Sequence, residues 1–274
     1  MRLKVRHATV YSYGAPMRFV TQSHRLTPAP NAGQAVLDWA VSAEGAAFGA
    51  GFTDGGGDRV TTMTVPGPVE RIEVVVEGTV ETSDAAGVLR AHRETVSPRV
   101  FLRPTGAIQT SRALRDLAEA ALGGGDNGPL DRAHRLSAAV SDAIAYEPGA
   151  TDHATTAAEA LALGRGVCQD MAHALIAVAQ HAGLPARYVT GYLLTGDEGA
   201  GEAAHAWAEI YNDDLGWIGF DPANACCPDD RYIRLGSGRD AREAAPIRGF
   251  SRGAGMEAMD VSVTVAPHQG QRQQ

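Results

Sequence analysis

The sequence predicts an α+β protein in which an antiparallel β domain precedes a mixed domain of helices and strands. In the first third of the chain, short segments alternate apolar with polar residues and are separated by glycine-rich turns, as in an antiparallel sheet. Helical periodicity begins near residue 100, and alternating segments return after residue 185. The 274 residues, 44% hydrophobic and 20% charged, suffice for one large domain or two smaller ones.

The first domain is predicted at residues 1–95, with strands at residues 3–13, 35–41, 48–52, 59–65 and 72–82. Residues 14–16, Gly-Ala-Pro, are expected to close the first strand. Residues 25–30 contain two prolines and are expected to form an extended connector, because proline disfavours helix in the residue before it.

The second domain is predicted at residues 100–235, with helices before strands. Helices are expected at residues 110–122, 131–145 and 157–163, and a fourth begins at Cys168. Strands are expected at residues 186–195, 204–211 and 217–221, with a glycine- and acid-rich loop at residues 196–202. Residues 236–274 are expected to be a loop-rich C-terminal extension with a final strand at residues 258–266.

Composition excludes several classes of protein. A formal net charge of -8 argues against nucleic acid as a partner. The N-terminus alternates charged with apolar residues and does not resemble a signal peptide, and no apolar run could span a membrane, so we expect a cytoplasmic protein without membrane partners. Three cysteines without a Cys-x-x-Cys pair favour neither a disulfide framework nor a zinc site, and no metal or cofactor is expected. Cys226 and Cys227 are expected to be passive, and a redox role for them stays open.

Cys168 stands where a glycine-broken turn meets a long apolar helix. It shares one helical stripe with Ala172, Leu175 and Ala179. The positive end of a helix dipole and the free N–H groups there favour a thiolate, as a cysteine nucleophile requires. Free cysteines are also common as small core residues, so this stretch alone leaves both interpretations open.

A histidine and an aspartate on neighbouring strands could complete a catalytic site. The strand at residues 204–211 puts His205 and Trp207 on one face. If Tyr211 pairs with Trp217, then Trp207 is opposite Asp221, and His205 is the diagonal neighbour of Asp221 on the same face. A second register puts His205 directly opposite Asp221, and a third separates them. A polar sheet edge is the alternative, but with Cys168 in the chain a Cys–His–Asp site is the better interpretation.

Four ordered segments resemble the bacterial transglutaminase-like superfamily, namely residues 166–170, 183–192, 205–207 and 216–224. The N-terminal strands resemble the β domain that precedes this core in many bacterial members. One departure is Ala223, where the family usually has threonine. The resemblance implies a papain-like core, with the nucleophile at a helix N-terminus packed on an antiparallel sheet. It also implies a triad of Cys168, His205 and Asp221.

The resemblance implies acyl transfer on peptide or carboxamide substrates through a thioester. Hydrolysis by a cysteine peptidase or amidase is favoured, because many bacterial members are regarded as such. The alternatives are a protein-glutamine transglutaminase that forms isopeptide bonds, and a non-catalytic binding module that kept the fold. The natural substrate, the oligomeric state and the role of the N-terminal domain stay open.

Four further residues are candidates for supporting the site. The backbone N–H of Cys168 can donate to an oxyanion, and the second donor could be Tyr146 or the indole of Trp207. A packed aromatic is the commoner role for a residue such as Tyr146. Asp170 is expected to stabilise the first turn of the helix through the helix dipole, and Gln169 lies beside the nucleophile in the family motif.

Overall fold

The computed structural model describes residues 1–125, 128–196 and 203–268, and it confirms the predicted α+β class. Within those ranges the chain forms four α-helices and twelve strands. They follow in the order β1 (Arg2–Thr27), β2 (Gln34–Ala43), β3 (Ala47–Thr53), β4 (Arg59–Thr82), α1 (Arg112–Leu122), α2 (Pro129–Ala143), β5 (Ala145–Tyr146), α3 (Ala157–Leu163), β6 (Arg165–Gly166), α4 (Cys168–His181), β7 (Ala186–Leu193), β8 (Ala204–Asn212), β9 (Gly216–Phe220), β10 (Tyr232–Gly238), β11 (Ile247–Arg252) and β12 (Glu257–Pro267). The predicted loop at residues 197–202 lies outside the described residues.

The first sheet is built around two long antiparallel strands, β1 and β4, which pair along most of their lengths. The strands β2 and β3 follow one another along β4, and β11 and β12 do the same along β1. The predicted end of β1 at residues 14–16 and the break in β4 after residue 65 are therefore wrong. Register shifts between Ser12 and Met17 absorb the Gly-Ala-Pro segment as an irregularity within the ladder. The expected connector at residues 25–30 is also partly wrong, because β1 continues through Thr27.

The second sheet has the order β10-β7-β8-β9, and α4 lies on one of its faces. Ala206, Ala208 and Ile210 of β8 join the buried residues of α4 in one core, over which α1, α2 and α3 pack. The predicted helices agree with the observed ones to within about two residues at each end. The strand β10 was not predicted. All seven of its residues are buried, so it lacks the polar-apolar alternation that reveals a half-exposed strand.

The opposite face of the second sheet rests against the first sheet. Leu3 and Val80 of the first sheet pack with Tyr192 and Ile233 of the second in one apolar cluster. The predicted C-terminal extension does not stand apart, since its first residues complete β10 and its later residues form β11 and β12 in the first sheet. The final strand was predicted, whereas β11 was missed. Over the described ranges, no helix has the length and apolar character needed to cross a bilayer.

Candidate active site

The turn before α4 fixes the position of Cys168. Val167 is extended and precedes the helix, and its N–H donates to Asp170 Oδ2 over 2.8 Å. The hydroxyl of Thr151 donates to the same oxygen over 2.6 Å. Position 166 favours glycine, because a Cβ there would lie 2.7 Å from Asp170 Oδ2. Cys168 is the first residue of α4 and half-buried, so its thiol and its backbone N–H lie at the positive end of the helix dipole.

His205 and Asp221 come together through the pairing of β8 with β9. The observed register pairs Tyr211 with Trp217, the first of the registers considered above, and places His205 and Asp221 as diagonal neighbours. His205 Nε2 lies 2.6 Å from Asp221 Oδ2. Since Nε2 is bound to this carboxylate, Nδ1 is the ring nitrogen that can serve the Cys168 thiol.

The Asp221 carboxylate is fully buried and accepts hydrogen bonds at both oxygens. Besides His205, Oδ2 accepts from Asn224 Nδ2 at 2.7 Å and from the hydroxyl of Tyr232 at 2.8 Å. The backbone N–H groups of Ala223 and Asn224 donate to Oδ1 at 3.0 and 3.3 Å. Ala223, the departure from the family motif, therefore contributes through its backbone, which any residue supplies.

Electrostatics favour a charged imidazole beside a charged carboxylate. Burial by itself lowers the pKa of His205, but hydrogen bonds to Asp221 and to the Cys168 thiol, together with their negative charges, raise it to about 9. Burial by itself raises the pKa of Asp221, but the His205, Asn224 and Tyr232 hydrogen bonds bring it below its ordinary value. An imidazolium at neutral pH can stabilise a thiolate at Cys168.

The rings of Trp207 and Tyr232 pack against the His205 imidazole. Trp207 stacks on His205 with ring centroids 6.3 Å apart and an interplanar angle of 26°. The Tyr232 ring meets both, at 5.9 Å from His205 and 5.5 Å from Trp207. This packing needs Gly191 on β7, because a Cβ there would lie 2.6 Å from the Trp207 ring. Sequence reasoning missed Tyr232, which lies on the unpredicted strand β10. Asn224 was not proposed as a partner of Asp221 either, although its position three residues after Asp221 was a signal that could have identified it.

The other candidates occupy different places around the site. Tyr146 is half-exposed on β5, and its pairing with Gly166 of β6 sets it beside the turn that leads to Cys168. The indole nitrogen of Trp207 points toward β9, where it would lie 3.4 Å from a Cβ on Gly219. Gln169 Nε2 donates to the carbonyl of His153 over 3.5 Å.

Two more groups of titratable residues lie near the site. His173 is buried in α4, its Nε2 accepts the N–H of Ala241 over 3.0 Å, and burial lowers its pKa to about 4. Burial raises the pKa of both Cys226 and Cys227. Among the residues that the structure describes, no three His, Cys, Asp or Glu side chains are grouped so that they could hold a metal ion.

Two family models and a mycobacterial protein match this chain. Residues 116–222 match the family model of the transglutaminase-like superfamily, and residues 3–81 match that of the bacterial transglutaminase-like N-terminal region. An uncharacterised protein of Mycobacterium leprae is 30% identical over 276 residues, covering 96% of this chain and 98% of that protein. An uncharacterised protein of Mycobacterium tuberculosis is 37% identical over 146 residues, covering 49% of this chain and 46% of that protein.

Among solved structures, one similar fold is that of a "Putative Cysteine Protease from Cytophaga hutchinsonii". The TM-score is 0.76 at 22% sequence identity, and the match covers 100% of this chain and 92% of that chain. At this identity the likeness shows a common fold.

Proposed function

Because this chain belongs to the transglutaminase-like superfamily, we propose that it is a cysteine-dependent acyl-transfer enzyme that hydrolyses peptide or carboxamide bonds. The observation that carries the proposal is the 2.6 Å hydrogen bond between His205 and Asp221, beside which the Cys168 thiol also helps to raise the pKa of the same imidazole. This is the arrangement of nucleophile, base and orienting acceptor that covalent catalysis requires. The substrate class, a peptide or protein, and the predicted cytoplasmic location are part of the proposal.

The first half-reaction forms a thioester. The Cys168 thiolate attacks the carbonyl carbon, and the carbonyl electron pair moves to the oxygen, where the N–H of Cys168 donates to it. The tetrahedral intermediate collapses as the imidazolium of His205 gives its Nδ1 proton to the departing amine nitrogen. Asp221 holds the ring through Nε2, so Nδ1 is the nitrogen that faces the substrate in each step.

The second half-reaction regenerates the thiolate. Neutral His205 takes a proton from water, and the resulting hydroxide adds to the thioester carbonyl. The carbon–sulfur bond then breaks, releasing the carboxylic acid and leaving the imidazolium beside the thiolate. We propose Tyr146 as the second oxyanion donor in preference to Trp207, because β5 and β6 set Tyr146 beside the Cys168 turn, whereas the indole nitrogen points toward β9.

The test compares the wild type with Cys168→Ala on labelled casein in the presence of a labelled primary amine. Cys227→Ala is the matched control, since it removes a thiol that has no part in the proposed chemistry. We expect casein fragments from the wild type and from Cys227→Ala, and none from Cys168→Ala. Amine incorporation without fragments would indicate a transglutaminase, and identical behaviour of the wild type and Cys168→Ala would leave the non-catalytic module as the better account.

A further inference from the structure

The hydroxyl of Tyr232 is a buried donor to the carboxylate that holds the imidazole. Tyr232 is 6% exposed, and its hydroxyl lies 2.8 Å from the same Asp221 oxygen that binds His205. Because that carboxylate is ionised, it can only accept, so the Tyr232 hydroxyl donates. The tyrosine oxygen therefore accepts from the thiol of Cys226, 3.3 Å away. Each hydrogen bond that Asp221 accepts withdraws part of its negative charge from His205.

The strand that carries Tyr232 is held by the first sheet on both sides of this residue. Gln34, of β2, binds both backbone groups of Arg234. Its Nε2 donates to the carbonyl over 2.9 Å, and its Oε1 accepts the N–H over 2.8 Å. Before Tyr232, the hydroxyl of Thr82 at the end of β4 donates to the carbonyl of Asp230. The Gln34 side chain thus makes the pair of backbone hydrogen bonds to Arg234 that a neighbouring strand would otherwise make.

A buried ionic network strengthens the same attachment. The Arg234 guanidinium binds Asp58 at 2.6 Å and Glu209 at 2.8 Å. Asp58 precedes β4, and Glu209 lies on β8, the strand of His205. Asp58 also accepts the N–H of Ser237 over 2.6 Å, and all three charged side chains are buried. The first sheet, β10 and β8 are therefore joined by charge-assisted hydrogen bonds, which are stronger than neutral ones.

We propose that Tyr232 is a positioning residue for Asp221, and that the N-terminal sheet takes part in the reaction by holding the strand that carries Tyr232. The inference rests on the proposed function, since it assigns a role within the same site. Tyr232 fixes the orientation of the Asp221 carboxylate toward His205. Its hydrogen bond also limits how strongly the carboxylate stabilises the protonated form of His205. The imidazolium can then release its proton to the leaving amine.

The test follows the alkylation of Cys168 by iodoacetate as a function of pH, which needs no substrate. An anionic reagent reacts faster while His205 is an imidazolium, so the rate falls along an alkaline limb as His205 loses its proton. Tyr232→Phe leaves the ring contacts and removes the hydroxyl. With one donor fewer on Asp221, we expect the limb to move to higher pH by about 0.5 pH unit. Tyr211→Phe, which removes a phenol hydroxyl away from the site, is the matched control and should leave the limb in place.

The role of the first sheet is tested with Gln34→Ala. We expect a smaller upward shift than in Tyr232→Phe, and no further shift when the two substitutions are combined, because both act through one hydroxyl. An unmoved limb in Tyr232→Phe would overturn the positioning role, and additive shifts would overturn the link to the first sheet. Gln34→Ala alone keeps the inference testable if Tyr232→Phe does not fold, and an unmoved limb there would overturn it.

The same profiles separate this inference from the proposed function. His205→Ala removes the imidazole and should abolish the limb. A wild-type profile identical to that of His205→Ala would overturn both the proposed site and the inference. A wild-type limb that Tyr232→Phe moves, in a protein that cleaves no substrate, would support the positioning role while contradicting the proposed hydrolysis.

Discussion

Replacing Asp170 by alanine tests how the first turn of α4 is held. The substitution removes two hydrogen bonds to a buried carboxylate, from the Val167 N–H and from the Thr151 hydroxyl. Hydrogen bonds to charged groups contribute about 1.5–3 kcal/mol each, and a carboxylate at a helix N-terminus adds about 0.3–1 kcal/mol.

One part of the Asp170 interaction opposes this stabilisation. Its Oδ1 is buried without a hydrogen-bond partner among the described residues, and the free energy needed to desolvate that oxygen disappears in the variant. We therefore expect a net loss of about 3 kcal/mol in the free energy of unfolding, out of about 5–15 kcal/mol for a typical domain. Asp170→Asn keeps one oxygen for the two donors and puts an NH2 group in place of the unpartnered oxygen. We therefore expect its free energy of unfolding to fall by only about 1 kcal/mol.

The assay is urea denaturation followed by tryptophan fluorescence, with alkylation of Cys168 at neutral pH as a second readout. Asp142→Ala, which removes an exposed carboxylate from α2, serves as the control and should stay within about 0.5 kcal/mol of the wild type. Alkylation of Cys168 should slow in Asp170→Ala, because the first turn that carries the thiol at the positive end of the helix dipole is no longer held in one geometry. A loss below about 1 kcal/mol in Asp170→Ala, or equal losses in the alanine and asparagine variants, would refute the reasoning.

Three further predictions concern charge and protonation. In Asp221→Asn the carboxylate charge is lost, so the pKa of His205 should fall from about 9 toward its ordinary 6.5, and the alkaline limb of Cys168 alkylation should move down by about one pH unit or more; an unchanged limb would count against the pairing. Burial lowers the pKa of three neutral histidines to about 4, so their stabilisation is complete above pH 6.5 and is lost as the pH falls toward 4; these are His7, His24 and His173. Urea titrations should therefore show a loss of at most about 2 kcal/mol per histidine between pH 7 and pH 5, and equal stability at both values would contradict this. Limiting iodoacetamide at pH 7 should modify Cys168 at least about tenfold faster than Cys226 or Cys227, whose pKa values burial raises, and peptide mapping that finds Cys226 modified first would be the contrary result.

Much of the site geometry could be predicted from local sequence patterns. Glycines and an apolar stripe predicted that Cys168 begins a helix. Counting along the two strands left three registers open, and the observed pairing of Tyr211 with Trp217 is one of the two that bring His205 and Asp221 together. These inferences depend on the regular periods of helices and hairpins, which the chain shows directly.

Other parts of the molecule could not be predicted in this way. Tyr232 reaches Asp221 from a strand that is buried on both faces, so neither its strand nor its partner leaves a periodic signal. The contact between Gln34 and Arg234 joins residues 200 positions apart. The Gly-Ala-Pro segment after Tyr13 has the composition of a turn, yet the long partner β4 keeps it within the strand. In each case tertiary contacts override local preference.

The order in which the first sheet acquires its strands affects how the chain is synthesised. On the ribosome β1 is made first, but β12, which covers its outer edge, ends at residue 267. At about 5–20 residues per second, that edge of β1 waits roughly 10–50 s for its last partner. Unpaired strand edges associate with other chains, so the nascent protein passes through an interval of exposure that the finished fold conceals. Slower translation lengthens that interval, and faster completion of the C-terminal strands shortens it.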